Sequence, residues 1–217
     1  MKPLLYKIWY GLKSRLLRDD FAINGWSEEE HLEIQKYLIE VLNPQKQEEI
    51  LEFGCGTGLH IRNFSGLCRE ITGIDHLGSM IERAKKNNRG KANVRLMHCK
   101  STKRLPFTDN RFDKVYSWGV FMYFRDRVDA ENILRELFRI TKNHGTIFIG
   151  DIPSTLRKKY FIKLLADYFN YFMYLFYDPS VFGKFCEQNL GEAEIIEQKS
   201  SLPNYRARFD VLIKVKK

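Results

Sequence analysis

Cysteine is scarce in this chain of 217 residues. The four present, Cys55, Cys68, Cys99 and Cys186, are far apart and form no CxxC pair. That excludes a disulfide framework and a cysteine zinc site, and it points to free thiols in a reducing, cytoplasmic compartment. Histidine is almost as sparse, with five residues. None stands with Cys, Asp or Glu at ligand spacing, so no metal is expected. There is no run of about 18 uncharged apolar residues, which removes a membrane-spanning helix. The opening MKPLLYKIWYGLKSRLLRDD lacks a clean apolar centre and a small-residue cleavage site, against a signal peptide. Repeats and low-complexity linkers are absent too, and the length suits one domain with a sizeable core. What is in excess is positive charge: 36 Lys and Arg against 27 Asp and Glu, a net +9. Such a balance suits an anionic small molecule, nucleic acid or acidic membrane surface, or serves solubility alone.

The hydrophobic pattern divides the chain into elements. KPLLYKIWYGLKSRLL has helical spacing. SEEEHLEIQKYLIEVL opens on Ser27 and Glu30, a capping box, turns Leu32, Ile34, Leu38, Val41 and Leu42 inward, and stops at Pro44. Strands are then predicted at EEILEF, REITGID, NVRLMH, FDKVYSW and GTIFIGD, with helices between them at LHIRNFSGL, GSMIERAKKN and DAENILRELFRITK. This alternation predicts an α/β fold, a parallel sheet with helices on both faces. A long aromatic helix, STLRKKYFIKLLADYFNYFMYLFY, and a shorter one around VFGKFCEQNL follow. The last strands, AEIIEQKS and RFDVLIKVKK, are joined by a short loop and should pair antiparallel. The divisions are 1–43 as a helical cover, 44–152 as a core, 153–191 as a helical insertion and 192–217 as the strand pair.

The stretch ILEFGCGTGLH carries the chemistry. An apolar strand ends in an acid and meets Gly54, Gly56 and Gly58 on alternate positions. A glycine turn between a strand and its helix brings backbone N–H groups close to a ligand. Leu59 stands where a dinucleotide fingerprint would place its third glycine, so the tighter spacing suits a nucleoside with an amino-acid tail. Asp75 ends the next strand, about 20 residues on, where an acid accepts hydrogen bonds from ribose hydroxyls.

In this order, ILEFGCGTG, GIDHLGSMIERAKK, LPFTDNRFDKVYS and ILRELFRITKNHGTIFIGDIP resemble the class I S-adenosylmethionine-dependent methyltransferases, the small-molecule, type 11-like group, over residues 48 to 152. The resemblance implies a Rossmann-like, doubly wound seven-stranded sheet in the order 3-2-1-4-5-7-6 with the last strand antiparallel. It implies S-adenosylmethionine as cofactor and S-adenosylhomocysteine as product. Carried onto this chain, Glu52, Gly54, Cys55, Gly56 and Gly58 would border the methionine part. Asp75 would hold the ribose diol, His76 would flank the adenine, Met80 would also touch the cofactor, and Ser117 and Trp118 would lie near the sulfonium. One departure stands out. Lys100-Ser101-Thr102 replaces the GDA of many relatives, so Ser101 and Thr102 take the adenine position with a weaker acceptor than a carboxylate.

The reacting end should lie beyond the carboxyl ends of the strands. That rule selects Trp118, Gly119, Tyr123 and Asp151, with Asp151 and Tyr123 as catalytic candidates. Tyr205, Arg206 and Arg208, in the loop before the final strand, are expected to meet an anionic acceptor. Tyr6, Trp9 and Tyr10 of the first helix are expected to close over the pocket. His60, in the first turn of the helix after the glycine loop, could reach the pocket but is expected at the surface, His144 falls at the opposite end of the sheet, and His31 and His98 carry no motif. The acceptor is read as a small molecule, anionic or partly apolar: a sugar nucleotide, lipid-linked intermediate, quinone precursor or secondary metabolite. Nucleic acid is the alternative acceptor, disfavoured because Ser117-Trp118-Gly119-Val120 replaces the motif of base-amine methyltransferases. A non-catalytic cofactor-binding protein is the third reading. The aromatic helix and its preceding RKKY leave open a peripheral contact with the inner membrane surface, and the chain is expected as a monomer or homodimer.

Overall fold

The computed structural model describes residues 2–101, 103–160, 174–189 and 191–217. Thr102 and most of the expected aromatic helix, residues 161–173, lie outside the described residues. Seven strands form one sheet: β1 (Glu49–Phe53), β2 (Glu70–Asp75), β3 (Val94–His98), β4 (Phe112–Trp118), β5 (Thr141–Pro153), β6 (Gly191–Glu197) and β7 (Arg208–Val215). Their order is β3-β2-β1-β4-β5-β7-β6. The first five pair in parallel, and β7 runs antiparallel to both β5 and β6. The expected topology is met. It is the Rossmann-like sheet that the resemblance implies.

Strand periodicity sorts side chains between two cores, because successive residues face opposite sides of a sheet. Leu51, Val115, Ile147 and Ile149 face one side, where they pack with Ile133, Leu134 and Leu137 of α6 (Arg127–Ile140) and Phe182 and Phe185 of α7 (Ser180–Gln188). Their neighbours Ile50, Tyr116 and Phe148 face the other side, against Ile34, Leu38 and Leu42 of α3 (Glu28–Leu42) and Phe64 of α4 (Leu59–Phe64). The capping box of α3 forms as expected: Ser27 Oγ accepts from Glu30 N at 3.1 Å, and Glu30 Oε2 accepts from Ser27 N at 2.8 Å. Two further helices precede α3, namely α1 (Lys2–Leu16) and the short α2 (Asp20–Asn24), and α5 (Gly78–Asn87) follows β2.

The structure corrects two element boundaries and adds one element. Helix α6 stops at Ile140, and Thr141 and Lys142 already belong to β5. Thr141 is extended (φ −80°, ψ 138°), and its hydroxyl caps Leu137 O at 2.6 Å, as a β-branched residue does at a helix end. Thr155–Tyr160 is a 3₁₀ segment broken at Arg157, not the start of an α-helix. Helix α2 carries no apolar repeat and escapes the sequence pattern. An Asp19 side chain that accepts from Phe21 N and a left-handed Gly25 (φ +83°) make it.

Candidate active site

At the carboxyl ends of the parallel strands lies a cavity of about 710 Å³, within the size range that holds small molecules. The glycine loop forms one wall. Gly54, Gly56 and Gly58 have φ of +78°, +52° and +75°, a region that side chains disfavour. At Gly54 a Cβ would stand 2.4 Å from Val120 Cγ2, and at Gly58 it would stand 2.8 Å from Asn88 Nδ2. The loop therefore needs glycine for conformation and for space. Gly54 N and Cys55 N donate to Ile74 O of β2 at 2.8 and 3.0 Å, which locks the loop to the next strand.

Two carboxylates face this wall. Asp75 accepts from Gly56 N at 3.0 Å and from Leu77 N at 2.8 Å, so its orientation is fixed. Burial raises its pKa, and His76 and the backbone donors pull the other way. Glu52 is buried, and its Oε2 has no hydrogen-bond partner. Burial pushes the Glu52 carboxyl well above its ordinary value, and the Tyr116 hydroxyl opposes this in part. A buried acid with an orphaned oxygen at a cavity wall suits a cationic group on a ligand. Glu52, the bare glycine backbone and the fixed Asp75 thus fit a nucleoside with an amino-acid tail. His76, Met80 and Cys55 line the same wall. Ser101 also lines it, with its Oγ accepting from Lys103 N and Arg104 N at 3.2 Å each. Ser117 is buried behind the lining, its hydroxyl tied to Phe53 O at 2.9 Å, whereas Trp118 reaches the cavity over Gly150.

The opposite wall centres on Asp151. Between Ile149 and Ile152 the register of β5 against β7 slips, so Gly150 and Asp151 together oppose Asp210. This is a β-bulge, which bends a strand and re-aims a side chain. Asp151 takes φ +61°, a conformation that Asp tolerates better than most residues. Asp210 holds the bulge by accepting from Asp151 N at 2.8 Å, and it is itself bonded by Tyr37 Oη at 2.6 Å and Gln198 Nε2 at 2.7 Å. The Asp151 carboxyl is raised to about 7, chiefly by burial. Arg208 lowers it and Asp210 raises it further. Arg208 Nε lies 3.5 Å from Asp151 Oδ1, an ion pair without hydrogen-bond geometry.

A chain of phenols extends from this pair. The Tyr10 and Tyr123 hydroxyls are 3.2 Å apart, those of Tyr123 and Tyr174 are 3.3 Å apart, and the Arg208 guanidinium lies 5.3 Å from the Tyr174 ring. Burial pushes the Tyr10 hydroxyl up to about 12, so it stays protonated at neutral pH. Trp9 and Tyr10 of α1 line the cavity. Tyr6 sits on the same helix, with its side chain outside the described residues. Of the three residues placed before the last strand, Arg208 lines the cavity, as the first residue of β7. Tyr205 and Arg206 fall outside the lining and bond each other at the surface at 2.9 Å, because the 3₁₀ turn Tyr205–Ala207 points them outward.

Sequence reasoning missed two residues at the other end of the cavity. His60, expected at the surface, lines the cavity and stacks on His31 at 4.6 Å, with its Nδ1 2.9 Å from Gln35 Oε1. Burial and the neighbouring His31 drive the His60 pKa down to about 3. Both stand in the first turn of their helices, and only the packing of α3 over α4 brings them together. Among the described residues no group of His, Cys, Asp and Glu could hold a metal ion.

A family model described as Methyltransferase domain matches residues 51–149. The demethylmenaquinone methyltransferase of Staphylococcus epidermidis is 27% identical over 175 residues, covering 79% of this chain and 68% of that protein. Its Staphylococcus aureus counterpart is 28% identical over the same shares. Among solved structures, Haemonchus contortus phosphoethanolamine N-methyltransferase 1, in complex with phosphoethanolamine and S-adenosylhomocysteine, aligns with a TM-score of 0.77 at 14% identity, over 100% of this chain and 49% of that one. The N-methyltransferase NodS of Bradyrhizobium japonicum, bound to S-adenosylhomocysteine, aligns with a TM-score of 0.72 at 14% identity, over 96% and 99%. At that identity the two structures attest the fold.

Proposed function

We propose that this chain is an S-adenosylmethionine-dependent methyltransferase and that it methylates a hydroxylated aromatic ring of the quinol type. When bound, the cofactor supplies an electrophilic methyl group on a sulfonium. The chain's own residues bind both partners, align them and move one proton. Glu52 would take the ammonium of the methionine tail, the backbone at Gly54, Gly56 and Gly58 would run along that tail, and Asp75 would accept from the ribose hydroxyls. His76, Met80 and Ser101 would border the adenine.

The observation that carries the acceptor reading is the Asp151 carboxyl at about 7, buried beside Arg208 and lining the cavity. A ring hydroxyl must lose its proton before the ring becomes a good nucleophile. A general base works best with a pKa near the operating pH. Asp151 would take that proton, and the Arg208 guanidinium would face the oxyanion left behind. Trp118, Tyr123, Phe124 and Tyr174 line the same space and suit a flat ring. The relatives' name, demethylmenaquinone methyltransferase, refers to a quinone, the oxidised form of such a ring.

The test is a set of turnover assays followed by mass spectrometry of the product. A reduced hydroxynaphthoquinone should gain one methyl group, while its oxidised form and an amine such as phosphoethanolamine should not. Methylation of the amine with no turnover of the quinol would overturn the acceptor and leave the methyltransferase assignment standing.

A further inference from the structure

We propose that the outer face of α1 docks this protein on an anionic lipid bilayer. Helix α1 lines the cavity through Leu5, Trp9, Tyr10 and Lys13, and its Ser14 is buried against Ser79 at 2.8 Å. Away from Ser14, however, it turns large apolar side chains to solvent. Leu5, Ile8, Trp9, Leu12 and Leu16 are 49%, 51%, 55%, 47% and 75% exposed. Steps of three and four residues align Leu5, Ile8, Leu12 and Leu16 in one stripe, with Trp9 beside it. Soluble proteins seldom leave such a contiguous patch bare.

Charge identifies the occupant. The helix, KPLLYKIWYGLKSRL, contains no acidic residue. At 100° per residue Lys13 and Arg15 fall on either border of the stripe, and Arg18 follows just beyond the helix. The next acids are engaged elsewhere: Asp19 caps α2 and Asp20 pairs with Arg83 at 2.8 Å. The whole chain carries +9. An apolar stripe bordered by one sign of charge matches a bilayer. Leucine and isoleucine enter the acyl boundary, tryptophan sits at the headgroup level, and Lys and Arg reach the phosphates. A protein groove has no need of that one-signed border. Among the described residues no helix is long and apolar enough to cross a membrane, so the contact is peripheral. One helix would then be both the docking face and a wall of the cavity.

The test is co-sedimentation of the full chain with vesicles of phosphatidylcholine alone and of phosphatidylcholine mixed with phosphatidylglycerol. Binding should be about tenfold or more stronger on the anionic vesicles, each basic residue near the surface contributing about 1 kcal/mol. Ile8→Asp combined with Leu16→Asp should lower it by about tenfold or more, and Arg15→Glu with Arg18→Glu should remove the preference for phosphatidylglycerol. None of these four residues is assigned to the cavity, and a thermal melt with S-adenosylhomocysteine calorimetry checks each variant's fold. Three results would overturn the proposal: no sedimentation with either vesicle, equal binding by the Ile8/Leu16 variant, or a wild-type dimer that this variant converts to monomer. The last would assign the face to a second copy of the chain. Vesicle binding needs no turnover, so its outcome is independent of the acceptor.

Discussion

Asp151 meets three demands at one position: a left-handed backbone, near-complete burial and a carboxyl held near neutrality. Asp151→Asn keeps the shape and removes the proton acceptor. Its kcat/KM should fall by about 10²–10⁴-fold, and the rise of activity with pH through about 7 should disappear. A wild-type pH profile in the variant would exclude Asp151 as the base. Stability gives a second readout. The carboxyl titrates near 7 in the folded chain and near 4 when unfolded, so in this window the folded state holds the extra proton. Stability conferred by Asp151 is therefore present below about pH 4 and falls as pH rises towards 7. Urea unfolding of wild type and Asp151→Asn should show the variant gaining about 1–3 kcal/mol relative to wild type between pH 4 and pH 8. Gly54 is constrained in a different way. Gly54→Ala would place a Cβ 2.4 Å from Val120 Cγ2 at φ +78°. It should cost about 1–3 kcal/mol of stability and weaken S-adenosylhomocysteine binding in calorimetry.

At the scale of elements, the site depends on how α1 and α2 are tied to the core, and one side chain makes most of that tie. Arg83 of α5 donates to Ser14 O, Leu17 O and Arg18 O at 3.1, 2.6 and 2.7 Å and to Asp20 Oδ1 at 2.8 Å. Asn87, one turn further, joins Asp20 Oδ2 to Thr57 O of the glycine loop at 2.7 and 2.9 Å. Arg83→Ala should loosen the roof without touching Asp151 or Arg208. The expected result is a Kd for S-adenosylhomocysteine about three- to tenfold higher and a Tm lower by a few degrees, about 2–4 °C per kcal/mol lost. An unchanged Kd would show that α1 closes without this tie. Such ties explain what the sequence can and cannot tell. The strands, the glycine loop and Asp75 were legible because period-two alternation and glycine spacing are local, whereas the strand order came from the family resemblance. The bulge at Asp151 is a register slip against β7, and Arg83 acts on carbonyl groups that every residue has, so neither leaves a mark in the chain. His60 was misplaced for the same reason: its partners His31 and Gln35 belong to a helix more than twenty residues earlier.

For the molecule as a whole, the cavity gathers groups that burial pushes away from their charged forms. The carboxyls of Glu52, Asp75, Asp151 and Asp210 are all raised, and His31 and His60 are lowered. Burial thus works against charge along the inner walls, in a chain whose formal balance is +9. A ligand with a fixed positive charge changes that balance. The ammonium of S-adenosylhomocysteine beside Glu52 would favour the carboxylate, lowering its pKa and expelling its proton. Binding should then release protons below the raised Glu52 pKa and tighten as the pH rises towards it, and the stabilisation by saturating ligand should grow in step. Calorimetry in two buffers of different ionisation enthalpy reads that release directly. Glu52→Gln should remove most of it and weaken binding by about tenfold or more, the scale of a lost charge-assisted hydrogen bond. Heats independent of the buffer, or wild-type affinity in Glu52→Gln, would mean that the orphaned Glu52 oxygen meets some other group and that the methionine tail lies elsewhere in the cavity.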